Sequence, residues 1–193
     1  MGRTVRRRHA GRRDLLNLIA TPIEGVYVIE TESHEDDRGS FARLYDSEVL
    51  ARAGLMTEFP QHSIAKNRRA GTIRGLHYQA APHEETKIVR CLRGSLYDVA
   101  VDLRPRSASF GAWTAVELSE ENMRALYIPA DCAHGYQTLV DGTEAHYMIS
   151  ASYLAEAARG IIYDDASLAI AWPLDVTGIS ARDRGLPRLR DLF

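Results

Sequence analysis

Two short segments hold the side chains best suited to moving protons. The first is Arg74-Gly75-Leu76-His77-Tyr78-Gln79, followed closely by His83, Glu84 and Lys87. On an extended strand, Arg74, Leu76 and Tyr78 share one face and Gly75, His77 and Gln79 the other. Between Arg74 and Lys87, His77 is expected to stay neutral at pH 7, because nearby cations disfavour another positive charge. Neutral imidazole is the form a general base requires; the competing reading is a structural histidine satisfied inside a β-rich core. The second segment, Ile128-Pro129-Ala130-Asp131-Cys132-Ala133-His134-Gly135-Tyr136, adds another histidine and an acid. Tyr147 and Tyr153 lie six apart and would share a face on one regular strand, although aromatic packing alone accounts for Tyr153. Ser180-Ala181-Arg182-Asp183-Arg184 reads as a solvated charge run, and nothing in its spacing ties Asp183 to His77.

Both histidine segments resemble the paired motifs of metal-binding cupins, but the first lacks the required His-x-His. It offers His77-Tyr78-Gln79 instead, with His83 and Glu84 too far along. Three nitrogen or oxygen ligands converging on an open site are therefore not assembled, and the expectation is no metal. The two cysteines, Cys91 and Cys132, form no CxxC pair and no disulfide framework. Cys132 lies within the second segment; its role is left open, a neutral thiol there being able simply to fill space.

The elements that must position these residues are short. β-type runs cover 25–30, 72–78, 87–92, 95–102, 113–118, 124–128, 136–139 and 144–153, punctuated by glycine, proline and Asp141-Gly142. Short strands at such regular spacing predict an antiparallel sandwich or barrel rather than βαβ units. Leu96, Asp98, Ala100 and Asp102 alternate with Tyr97, Val99 and Val101, the period of a strand with two unlike faces. One helix is predicted, with Ser47 as N-cap for Glu48 to Ala53 and Gly54 as its stop. The fold class is all-β with short helical decorations, of which a jelly roll is one form.

Length and charge narrow the classes further. A chain of 193 residues is one domain or at most two small ones. With 45% hydrophobic and 26% charged residues it has the composition of a globular protein, which excludes disordered, collagenous and coiled-coil readings. No apolar run approaches the roughly 18–20 residues of a membrane span. Six of the 24 basic residues (Arg3, Arg6, Arg7, Arg8, Arg12 and Arg13) crowd the start, which leaves 18 against 26 acids, a body at −8. We therefore expect a basic, flexible arm over residues 1–20 and one domain over 21–193. An acidic body is not a nucleic-acid surface. Without a secretory signal the expected compartment is the cytoplasm.

Taken together, Arg74-Gly-Leu-His-Tyr-Gln, Lys87-Ile-Val-Arg-Cys, Asp98-Val-Ala-Val-Asp-Leu-Arg, Ile128-Pro, Ala133-His-Gly-Tyr and Ile170-Ala-Trp-Pro resemble the dTDP-4-dehydrorhamnose 3,5-epimerase family, from about Pro22 to about Asp183. The resemblance implies a cupin-type double-stranded β-helix and a homodimer exchanging N-terminal strands. It also implies catalysis with no metal or organic cofactor on a nucleotide-diphosphate 4-keto-6-deoxy sugar. The C4 ketone of such a sugar acidifies the protons on C3 and C5. Inversion then needs a base and an acid on opposite ring faces, and a positive donor near the ketone oxygen.

By the same resemblance His77 is the proton acceptor, Tyr147 the donor, and Asp183 the carboxylate that fixes the imidazole. Lys87 is the cation beside the sugar, His134 a further pocket histidine, and Arg74 a substrate-binding arginine. Arg38 and Gln61 contact the nucleotide, Tyr153 stacks on its base, and Arg182 replaces a family lysine. Ser63, at a substrate-side position, stands where the well-known rhamnose enzymes carry asparagine. Arg43 replaces their glutamate, Met148 a lysine, and Ala158 another glutamate. Base and acid are kept while edge contacts change, which leaves open a C3-only or C5-only epimerase, a 3,4-ketoisomerase, or a non-catalytic sugar-nucleotide-binding cupin.

Overall fold

The computed structural model describes residues 15–192. Among these residues are thirteen strands, two short helices and a terminal 3-10 turn. One sheet orders β1 (Leu16–Ala20), β2 (Tyr27–Thr31), β10 (Ala125–Ile128), β7 (Lys87–Arg93), β12 (Glu144–Ile149) and β5 (Gln61–Lys66). The other orders β13 (Ala158–Gly160), β6 (Ile73–Gln79), β11 (Cys132–Thr138), β8 (Ser95–Asp102) and β9 (Trp113–Ser119). All pairings within the two sheets are antiparallel. A hairpin of β3 (Ser33–Asp36) and β4 (Gly39–Ala42) forms its own two-stranded sheet, with Phe41 exposed.

The core follows from strand alternation. Val89, Cys91, Leu126, Ile128 and Ala145 of the first sheet face Leu96, Ala100, Leu118, Cys132 and Tyr136 of the second. Residues of opposite parity pack outward. Leu76, Val99, Val101 and Ala133 meet the C-terminal Ile161, Leu168 and Leu189. On the far side Ile29, Ile88, Tyr127 and Met148 are covered by Leu50 of α1 (Ser47–Arg52). Each fully buried Leu or Ile contributes about 1.5–3 kcal/mol, so both faces of each sheet are committed to packing and the register is fixed.

Several expectations change. Residues 16–20, assigned to the basic arm, are β1, paired with β2 from Leu16↔Thr31 to Ala20↔Tyr27; the six arginines lie outside the described residues. The cap of α1 is Asp46, not Ser47: its carboxylate accepts from the backbone N–H groups of Glu48 and Val49 at 3.0 and 3.4 Å. The run at 144–153 stops at Ile149, so Tyr147 and Tyr153 do not share a strand.

Candidate active site

The site lies on the inner side of the second sheet, where β6 pairs antiparallel with β11. His77 and His134 are direct cross-strand partners, after which the register shifts, so that Tyr136 faces Arg74. Gly75 sits at φ +123°, and a Cβ there would lie 2.5 Å from Gly135 Cα and 2.7 Å from His134 O. Only glycine fits such an approach. The shift breaks the simple alternation. Leu76 and Tyr78 keep the outward face, while the Arg74 side chain joins the inner one, its Nε donating to Asn67 Oδ1 at 2.9 Å. Asn67 in turn binds the hydroxyl of the buried Tyr136.

His77, with 38% of its side chain exposed, pairs through Nε2 with Asp183 Oδ1 at 2.7 Å. The supposed charge run thus delivers a nearly buried carboxylate to the histidine. α2 (Ala181–Arg184) starts at the N-cap Ser180, whose hydroxyl accepts from the Asp183 N–H, and turns Asp183 inward. Burial alone raises the Asp183 carboxyl. The hydrogen bond and charge of His77, with Gly75 N–H and Ser180, outweigh it and hold the pKa below the ordinary carboxylate value. Asp183 is therefore ionised at neutral pH.

From the facing sheet come Tyr147 and Lys87. Tyr147 neighbours Val89 on β7 and Ser63 on β5, and its ring stands edge-on to that of His134 at 5.7 Å. Its pKa is raised well above the phenol value, first by burial and then by Tyr136 and Asp98. Tyr147 therefore keeps its proton. Lys87 is buried and bonds Glu85 Oε1 at 2.7 Å and the His77 carbonyl at 3.4 Å. His134 Nε2 meets Asp98 Oδ1 at 2.7 Å in a second, fully buried pair.

The remaining expected residues divide. Gln61 and the exposed Tyr153 are joined by Tyr153 N–H to Gln61 Oε1 at 3.3 Å. Arg182 lies exposed on α2, next to the dyad carboxylate. Arg38 is not brought to the cluster: it sits at the β3–β4 turn, bonded to Asp36 at 2.6 Å with 89% of its side chain exposed. Arg43 pairs with Asp46, and Ala158 lies on β13. Met148 packs on the outer face of its sheet, away from the pocket. Among the described residues no group of three or more His, Cys, Asp or Glu side chains could hold a metal. Two residues carried no role in the sequence reading. Asp98 could have been noticed as an acid on the apolar face between Leu96 and Ala100, whereas nothing in the sequence marks Asn67.

A jelly roll whose two sheets carry a histidine–carboxylate dyad on one side and a protonated phenol on the other defines a cupin-type scaffold for proton transfer. The family model of dTDP-4-dehydrorhamnose 3,5-epimerase matches residues 20–191. The chain is 40% identical over 169 residues to the dTDP-4-dehydrorhamnose 3,5-epimerase of Shigella flexneri, covering 87% of this chain and 93% of that one. Among solved structures, the Bacillus anthracis enzyme of the same name, with TDP and pyrophosphate bound, superposes with a TM-score of 0.87. It is 38% identical and covers 90% of this chain and 99% of that one. ChmJ, a 3'-monoepimerase from Streptomyces bikiniensis in complex with dTDP-quinovose, superposes at 0.83 with 32% identity, covering 88% and 86%. The chain belongs to the dTDP-4-dehydrorhamnose 3,5-epimerase family.

Proposed function

We propose that the protein epimerises a dTDP-linked 4-keto-6-deoxy sugar by carbanion chemistry next to the ketone, using its own side chains as acid and base. The observation that carries this reading is the placement of the His77–Asp183 pair on one sheet and of Tyr147, edge-on to His134, on the sheet that faces it. Asp183 stays a carboxylate beside His77, and Tyr147 stays protonated on the facing sheet. His77 takes the proton from the carbon next to C4, and Asp183 steadies the imidazolium that forms. Tyr147 returns a proton to the other face. Lys87, anchored by Glu85, places positive charge by the enolate oxygen. Arg74, held by Asn67, and Arg182 face the diphosphate, whose oxygens suit guanidinium forks. Tyr153 and Gln61 border the nucleotide end.

The chain acts as a homodimer in this reading. The β3–β4 hairpin, with Arg38 and the exposed Phe41, stands off its own sheets, in keeping with contact to the nucleotide bound by a second copy. The second reading is inversion at one carbon only, as in the 3'-monoepimerase to which the chain is also similar.

The test is incubation with dTDP-4-keto-6-deoxyglucose in D₂O, with NMR to locate deuterium. Wild type should label C3, C5 or both and invert what it labels, and His77→Asn should abolish labelling. Labelling by His77→Asn at the wild-type rate would refute the assignment of the base, and label at a single carbon would select the monoepimerase.

A further inference from the structure

The cross-strand neighbours His77 and His134 each belong to a histidine–carboxylate pair of the same 2.7 Å length, in opposite surroundings. In the first, the Asp183 carboxylate accepts additional backbone donation from Gly75, and half-open His77 faces solvent. In the second, both side chains are within a few per cent of complete burial. Asp98 Oδ1 meets His134 Nε2, and Asp98 Oδ2 is sealed from solvent with no hydrogen-bond partner. An ionised carboxylate with an orphaned oxygen is expensive to bury.

The charged and titratable groups facing Asp98 do not remove that penalty. Lys87 from β7 is attractive, but its ammonium is already paired with Glu85. Tyr136 and Tyr147 are both held protonated beside it, and the Cys91 thiol is pushed up to about 11, chiefly by burial. The stable way to keep the pair is to let it hold one proton more than the His77–Asp183 pair. Asp98 then protonates Nε2, or shares its proton with it, and the imidazole hydrogen is left on Nδ1. The hydrogen bond described for His134 uses only Nε2, and Nδ1 is not among the sealed, unpartnered atoms.

We propose that Asp98 is a positioning residue that fixes His134 as a hydrogen-bond donor, with Nδ1–H presented to the oxygen on which charge develops, so that one cavity carries a proton-accepting dyad and a proton-holding dyad. This rests on the proposed function for the identity of that oxygen. It extends that reading by giving Asp98 and His134 a task opposite to that of Asp183 and His77. Environments that push two like pairs apart are a recurrent way to divide acid and base duties at one pH. Burial raises the Asp98 carboxyl against the opposing pull of His134 and Lys87, which agrees with the geometry.

Two arms test it. In ¹⁵N-histidine-labelled protein, long-range ¹H–¹⁵N spectra report which ring nitrogen of His134 bears hydrogen, with His134→Asn assigning the signal. Nδ1 should carry hydrogen at pH 7, and an Nδ1 without hydrogen would overturn the proposal. In the second arm, Asp98→Ala should lower kcat for the epimerisation by at least about tenfold with KM nearly unchanged, because the lost contact forms mainly in the transition state. Asp98→Asn, whose amide can still donate to Nε2, should keep Nδ1–H and recover most of kcat. An Asp98→Ala enzyme with wild-type kcat, or an Asp98→Asn enzyme as impaired as Asp98→Ala, would also overturn it. If wild type neither labels nor converts the sugar, the proposed function has failed, and the spectroscopic arm still decides the proton inventory.

Discussion

Asp183→Asn is the substitution whose consequence the geometry fixes most tightly. The change keeps the volume and the α2 cap, because the bond to the Ser180 hydroxyl comes from the backbone of residue 183. It removes the charge 2.7 Å from His77 Nε2 and lets an amide N–H donate to that nitrogen. The imidazole then loses the partner that fixes its orientation and stabilises its charged form. A positioned base contributes about 10²–10⁴-fold, or roughly 3–5.5 kcal/mol of barrier. Accordingly, kcat for deuterium exchange should fall by about 10²–10⁴ while KM changes little. Stability adds an independent sign. Because the folded pKa of Asp183 lies below its ordinary value of 3.8, the group stabilises the fold above that value. This contribution fades as pH falls through the folded pKa. Wild type should thus lose more Tm than Asp183→Asn between about pH 5 and pH 2. Measured by thermal melts and D₂O exchange, an Asp183→Asn enzyme within threefold of wild-type kcat would refute the dyad.

Other outcomes follow from single features. Gly75→Ala should lower stability by about 2–5 kcal/mol, from a left-handed backbone and a forced contact. That corresponds to a Tm drop of about 4–20 °C, visible by calorimetry. Asp46→Ala removes the α1 cap and should cost about 0.5–2 kcal/mol in denaturant melts with kcat unchanged. Since burial raises Tyr147 well above the phenol value of 10.0, kcat–pH profiles should show no loss of the Tyr147 proton below pH 10. Cys91 and Cys132 are buried, with thiols pushed up to about 11 and about 12. Both should stay silent to a thiol reagent at pH 8 in the folded protein and react once it is denatured.

Strands with two unlike faces were legible in the sequence because period-2 alternation reports burial directly. β8 shows this best, with Leu96 and Ala100 turned inward and Val99 and Val101 outward. Strands without that contrast were not. β3 and β4 are exposed along almost their whole length, β5 is a polar edge strand, and β13 has three residues. At the site, His77 and His134 stood out by type, and the family likeness supplied Tyr147, Lys87 and Asp183. The meeting of Asp183 with His77 spans 106 residues of chain and depends on the docking of α2, which no local pattern encodes. The inward turn of Arg74 was likewise hidden, because alternation assumes an unbroken register and β6 shifts at Gly75. Asp98 was visible only as an acid in an apolar row.

In the proposed mechanism hydrogen leaves one side of the sugar and returns from the other. The direct measurement is the stereochemical fate of deuterium in Tyr147→Phe incubated with dTDP-4-keto-6-deoxyglucose in D₂O. With His77 intact and the opposing donor gone, recovered sugar should carry deuterium at the exchanged carbon with its original configuration, and inverted product should be nearly absent. Inverted, labelled product formed by Tyr147→Phe at the wild-type rate would contradict the two-sided mechanism.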